Sequence, residues 1–76
     1  MNQKAQKFML KGDSLIEKGK YEEALLCYEE AVSIDPKDPG LWNKKGITLR
    51  SLGRYDEAVE CFNKSLKISP RDLDAS

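Results

Sequence analysis

Histidine is absent from this 76-residue chain, and neither sign of charge is in excess: thirteen Lys and Arg balance thirteen Asp and Glu. The first absence removes the commonest general base and metal ligand. The second removes the basic surplus through which proteins generally hold nucleic acid, so no nucleic-acid partner is expected. Long hydrophobic runs are missing as well. The longest, Ala24 to Tyr28, falls far short of the ~20 residues that cross a bilayer, and no membrane span is expected. The start Met1-Asn2-Gln3-Lys4 is polar and does not resemble a signal peptide, which makes a cytoplasmic address the expectation.

Cysteine is scarce too. Cys27 and Cys61 cannot complete a four-ligand zinc site without histidine. A disulfide between them is at odds with a cytoplasmic setting, so both read as packing cysteines. No nucleotide motif is present. Around Gly19-Lys20, Ser14 stands where a phosphate loop needs its first glycine and Tyr21 where it needs Ser or Thr. Asn63-Lys64-Ser65 matches the glycosylation tripeptide but falls inside an expected helix. The carboxylates of Glu22, Glu23, Glu29 and Glu30 read as a solvated helix face. Neither a cofactor nor an enzymatic activity is expected.

Charged residues make up 34 % of the chain, against a usual ~25 %. A core in so short a domain rarely supplies more than ~3–5 kcal/mol. Stability must therefore come from regular packing or from a partner.

What the chain does contain is a repeat. Placing residues 5–38 on 39–72 superposes eleven identical pairs at a period of 34. They include Lys11/Lys45, Gly12/Gly46, Leu15/Leu49, Gly19/Gly53, Tyr21/Tyr55, Ala24/Ala58, Cys27/Cys61, Ile34/Ile68 and Pro36/Pro70. Phe8/Trp42, Leu25/Val59, Tyr28/Phe62 and Val32/Leu66 match in kind.

Each unit reads as two helices. Ala5, Phe8, Met9, Leu15 and Ile16 are spaced roughly as one helical face, as are Ala24, Leu25, Tyr28, Ala31 and Val32 between Tyr21 and Ile34. Gly19 and Gly53 stand where a helix ends in a left-handed residue. Pro36 and Pro70 stop the second helices, and Asp38-Pro39 reads as an N-cap followed by proline at the first helical position. No stretch of strand length alternates with period two. Gly12 and Gly46 cost ~1 kcal/mol each against alanine inside a helix. That cost implies close helix approach, expected against Ala24 and Ala58 with the large aromatics on either side. The fold class is all-α: four antiparallel helices in two stacked helix–turn–helix units.

The pattern Trp42-x3-Gly46, Gly53-x-Tyr55-x2-Ala58-x3-Phe62 and Pro70, with Phe8, Gly12, Gly19, Tyr21, Ala24, Tyr28, Ala31 and Pro36 in the first unit, resembles the tetratricopeptide repeat. The repeats would span 5–38 and 39–72, with 73–76 as the stub of a third repeat or a tail. The family's leucine before the glycine is Lys11 or Lys45 here, its following tyrosine is Leu15 or Leu49, and its late alanine is Ser65 in the second unit.

The resemblance implies a short right-handed α-solenoid and a scaffold that binds a peptide or protein segment on the concave surface of its first helices. Carried over, the concave positions include Met9, Asp13, Asn43, Lys44, Ile47 and Arg50. Residues 1–38 hold six basic and eight acidic groups, and 39–76 hold seven and five. The surface is thus divided into an apolar and acidic half and a polar and basic half. Family members that clamp the C-terminal carboxylate of chaperone tails place Lys and Asn where this chain has Met9 and Asp13, or Asn43 and Ile47, so that clamp is not expected.

An alternative reading is self-association. Val59, Phe62, Leu66 and Ile68 occupy places that in this family help to cover a following helix. With solenoids generally needing three repeats or a cap, a homodimer or end-to-end stack through that face is expected. The chain would then be a complete associating protein, or an excised or designed piece of a longer array.

Overall fold

A computed structural model describes residues 2–69, which form four α-helices: α1 (Gln3–Glu17), α2 (Tyr21–Ile34), α3 (Pro39–Ser51) and α4 (Tyr55–Ile68). Among the described residues there is no strand. Pro70, Asp72 and the tail 73–76 lie outside the described residues.

Local chemistry sets the boundaries. The Asn2 side chain accepts a hydrogen bond from the Lys4 amide at 2.8 Å, and Asp38 accepts one from the Gly40 amide at 2.8 Å with Pro39 as the first helical residue. Each satisfies one of the amides a helix start leaves unpaired. Gly19 and Gly53 have φ of 74° and 80°. There the amides of Lys20 and Arg54 reach back to the carbonyls of Leu15 and Leu49, both at 2.9 Å, while those of Gly19 and Gly53 bond Ile16 and Arg50. This paired closure needs a left-handed residue, which glycine adopts without a steric penalty. α2 ends at Ile34, ahead of Pro36.

α1 packs on α2, α3 packs on α4, and α3 also packs on α2. One part of the core gathers Ala5, Ala31, Val32 and Leu41, and another gathers Leu25, Leu49, Ala58 and Cys61. Trp42 lies against both and donates from Nε1 to the Pro36 carbonyl at 2.8 Å. Lys45 and Lys64 stand 5.4 and 5.7 Å from the centre of its ring, close enough for cation–π attraction. Ser65, at the place of the family alanine, is buried and donates its hydroxyl to the Pro39 carbonyl at 3.0 Å. Cys27 and Cys61 are buried free thiols.

The helical glycines do approach the expected neighbouring helix closely, but the residue that meets them differs from the one expected. A Cβ on Gly12 would stand 2.6 Å from the Tyr28 ring, and one on Gly46 would stand 2.7 Å from the Phe62 ring. The aromatic side chain itself occupies the space. Ala58 packs instead with Leu25, Leu49 and Cys61. A ring laid on the bare backbone of a helix fills the seam more fully than two small residues facing each other, at the helix-propensity cost noted above.

None of the described helices is long and apolar enough to cross a membrane.

Candidate functional site

α1 and α3 each turn a row of side chains toward the same side of the molecule, and two hollows open there. One, of about 290 Å³, lies between the repeats and is lined by Asp13, Ile16, Tyr21, Tyr28, Lys44, Ile47, Thr48 and Ser51. The other, of about 930 Å³, lies beside the second repeat and is lined by Pro39, Gly40, Asn43, Ile47, Arg50, Phe62, Ser65, Leu66 and Ser69. Ile47 borders both and is half-exposed.

A polar network anchors the first hollow. The Tyr28 hydroxyl donates to Asp13 Oδ1 at 2.5 Å, and Lys44 Nζ donates to the same oxygen at 3.1 Å. Burial, with the Asp13 carboxylate as acceptor, holds the Tyr28 phenol far above its ordinary range, so it stays protonated and donating. Thr48, almost wholly buried, donates to the Lys44 carbonyl at 2.8 Å and so leaves no orphaned polar atom beneath the pair. Glu29 and Lys45, 4.0 Å apart, form a second ion pair between the repeats.

The structure separates the six concave residues named from the sequence into two sets. Asp13, Lys44 and Ile47 border the inter-repeat hollow, while Asn43, Ile47 and Arg50 border the second. Met9 packs against the Ala5–Leu41 part of the core and lines neither. Lys44 does not stand with Asn43 and Arg50 as a ready anion ligand, because Asp13 already holds it. Arg50 is exposed and has no ion-pair partner among the described residues.

Phe62 and Leu66 line the same hollow as Asn43 and Arg50. The hollow beside Asn43 and Arg50 and the second repeat's outer face are therefore contiguous, which the sequence reading did not anticipate. Along that face the two repeats differ sharply. Leu25 and Val32 are 5 % and 6 % exposed, whereas their equivalents Val59 and Leu66 are 55 % and 47 % exposed. Phe62 is partly buried, its ring resting on Gly46.

Among the described residues no group of His, Cys, Asp and Glu could hold a metal ion.

The sequence pattern of the TPR repeat matches residues 12–49, and that of the tetratricopeptide repeat matches residues 39–72. The chain belongs to the tetratricopeptide repeat family. Among solved structures, this tetratricopeptide repeat chain is similar to the first TPR of Spaghetti (RPAP3) bound to the HSP90 peptide SRMEEVD. The TM-score is 0.88 at 28 % identity, over 91 % of this chain and 55 % of that one. The second TPR of Spaghetti (RPAP3), bound to the same peptide, gives a TM-score of 0.85 at 22 % identity, over 88 % and 62 % of the two chains, a likeness of fold alone. The chain thus spans 55–62 % of the length of these structures. A comparison with curated proteins gives no match. These findings make it a helical-repeat module of that family.

Proposed function

We propose that the concave surface of α1 and α3 takes an extended peptide carrying an acidic residue close to an apolar one. The observation that carries this reading is the hollow in which Ile47, Phe62 and Leu66 offer an apolar floor beside Arg50 and Asn43. Ile47 and Leu66 cover an apolar side chain. Arg50 holds a carboxylate through its planar fork, and the Asn43 amide pairs with peptide backbone. Asp13 and Lys44, fixed on each other, set the spacing of the two first helices and border the path as it crosses to the inter-repeat hollow. The peptide SRMEEVD held by the similar TPR joins three acidic residues to Met and Val, and that combination suits this lining. The contacts are not the chaperone-tail clamp, whose Lys and Asn positions hold Met9, Asp13, Asn43 and Ile47 here. A cytoplasmic setting, where thiols stay reduced, agrees with free Cys27 and Cys61.

Titration of the isotope-labelled chain with SRMEEVD, and with a version in which the acidic residues become amides, tests this reading. Shifts centred on Asn43, Ile47 and Arg50, lost with the amide version, are the expected result. Binding that the Asn43→Ala, Arg50→Ala double variant leaves unchanged overturns the site.

A second reading, self-association through Val59, Phe62, Leu66 and Ile68, is favoured by the exposure of Val59 and Leu66 beside their buried counterparts Leu25 and Val32. A contiguous apolar face of this kind commonly marks an interaction surface.

A further inference from the structure

We infer that Asp13 sets where the peptide's acidic residue is read: by holding Lys44 it withdraws the cation of the hollow between the repeats and leaves carboxylate capture to Arg50. This rests on the peptide-binding reading and assigns a residue that sets its specificity. Asp13 acts through Lys44, as a positioning residue for it.

The hollow between the repeats is walled by helices of both. Among the described residues that line it, Lys44 is the one cation and Asp13 the one anion. Ile16 and Ile47 are aliphatic, and the hydroxyls of Thr48 and Ser51 donate one turn back along α3, to the carbonyls of Lys44 and Ile47. The charge that a ligand meets there is therefore decided by a single ion pair.

The two members of that pair are not equally free. Asp13 is held independently of Lys44, because the buried Tyr28 donates its hydroxyl to the same oxygen and lays its ring on Gly12. Lys44 reaches it on a flexible stem and stays partly exposed. A second carboxylate entering this hollow would share Lys44 with an anion that cannot withdraw, and like charges at close range repel. At the place of Ile16 the second repeat carries Arg50, exposed and without an ion-pair partner among the described residues. The peptide carboxylate thus meets an unpaired cation in the neighbouring hollow, which joins this one at Ile47.

Titration of the isotope-labelled chain with SRMEEVD, and with SRMKKVD in which both glutamates are lysines, tests this, with circular dichroism confirming that each variant folds. The unaltered chain should prefer SRMEEVD, and Arg50→Ala should abolish that preference. Asp13→Asn keeps an oxygen that accepts from Tyr28 and frees Lys44. It should raise the preference about fivefold, the upper range for one partly exposed charge contact, with new shifts at Ile16 and Ser51. Arg50→Ala added to Asp13→Asn should leave a preference in place, because Lys44 then reads the carboxylate. A merely structural role for Asp13 would not produce that rescue. Lys44→Met keeps the Tyr28–Asp13 bond and carries the test even where Asp13→Asn melts early. It should move the preference toward SRMKKVD by a similar factor. Loss of all preference in the Asp13→Asn, Arg50→Ala double variant overturns this inference and leaves the site at Arg50 standing, as does a Lys44→Met variant that behaves like the unaltered chain. A preference for SRMEEVD that survives Arg50→Ala alone, or no binding of either peptide to the unaltered chain, overturns both readings.

Discussion

Asp13 and Lys44 lie thirty-one positions apart and meet at 3.1 Å across the junction of the two repeats. The same carboxylate oxygen accepts the Tyr28 hydroxyl, so one side chain of α1 secures both the helix it pairs with in its own repeat and the first helix of the next. The two bonds differ in surroundings. Lys44 and Asp13 keep more than a third of their side chains in solvent, where an ion pair typically contributes ~0–1 kcal/mol. The Tyr28 side chain is almost wholly buried, and its hydroxyl depends on Asp13.

Lys44→Ala should accordingly cost less than ~1 kcal/mol. Asp13→Ala should cost more, about 1–3 kcal/mol, because it leaves the Tyr28 hydroxyl without an acceptor. Adding Tyr28→Phe to Asp13→Ala should recover part of that loss. Urea denaturation of the four proteins measures the order, and a Lys44 variant less stable than the Asp13 variant contradicts this account.

The same contact makes stability sensitive to alkali. Tyr28 holds its proton more tightly folded than unfolded, so its contribution is complete below the ordinary tyrosine value of ~10. Above that pH the unfolded chain releases the proton while the folded chain retains it, and stability falls as pH rises. Tyr28→Phe should flatten this decline. Melting curves between about pH 8 and pH 11, bracketing the free phenol value, check it, and parallel declines in the two proteins would remove Tyr28 as the cause.

The Asp38 cap, the left-handed Gly19 and Gly53, and the stop before Pro36 were legible in the sequence, since each depends on a residue and its immediate neighbours, whereas the Asn2 cap was not read there. The glycines in α1 and α3 advertised a close approach, yet their partner was not legible. Whether Ala58 or Phe62 meets Gly46 depends on how far one helix is rotated about its axis against another, and no periodicity within a single helix contains that angle. Lys44 escaped for a related reason. Its neighbour Asn43 is one residue away in sequence, but one residue turns a helix by ~100°, enough to send the two side chains into different hollows.

Gly12→Ala and Gly46→Ala should separate the two seams. Either change gains ~1 kcal/mol of helix propensity, and either forces a methyl group to within 2.6 or 2.7 Å of a ring. Overpacking of that kind costs about 1–3 kcal/mol. Tyr28 is buried and tied to Asp13, whereas Phe62 is only partly buried and borders an open hollow. Gly12→Ala should therefore be the more damaging change by thermal melting. Equal effects would show that the second seam is as confined as the first. Phe62→Glu, for the same reason, is a poor probe of association, since it disturbs the fold beneath the face.

Trp42 ties the two parts of the core together, and its loss should be felt throughout. Aromatic-to-alanine changes in cores cost about 3–5 kcal/mol, comparable to all the stability a domain of this length collects. Trp42→Ala should be largely unfolded by far-ultraviolet circular dichroism. Trp42→Phe keeps a ring between Lys45 and Lys64 but gives up the bond to the Pro36 carbonyl, a loss of about 0.5–1.5 kcal/mol. A cooperative melt for Trp42→Ala near that of the unaltered chain would mean that the two clusters hold without it.

The thiols report opening of the same core. Cys27 and Cys61 are both buried, and burial pushes the Cys61 thiol above its ordinary value despite the nearby Lys45 ammonium. Reaction with a disulfide reagent requires the thiolate and access to it, and the folded chain restricts both at Cys61. Labelling of Cys61 at neutral pH should be far slower than that of a free cysteine and should follow the fraction of chain unfolded. Urea below the transition should accelerate it in proportion to that fraction, and the second-repeat variant Gly46→Ala should accelerate it without urea. Mass spectrometry of digested, labelled protein assigns the rate to each cysteine. Cys61 reacting at the rate of a free thiol in the native protein would show that the Leu25–Leu49–Ala58 cluster does not close over it.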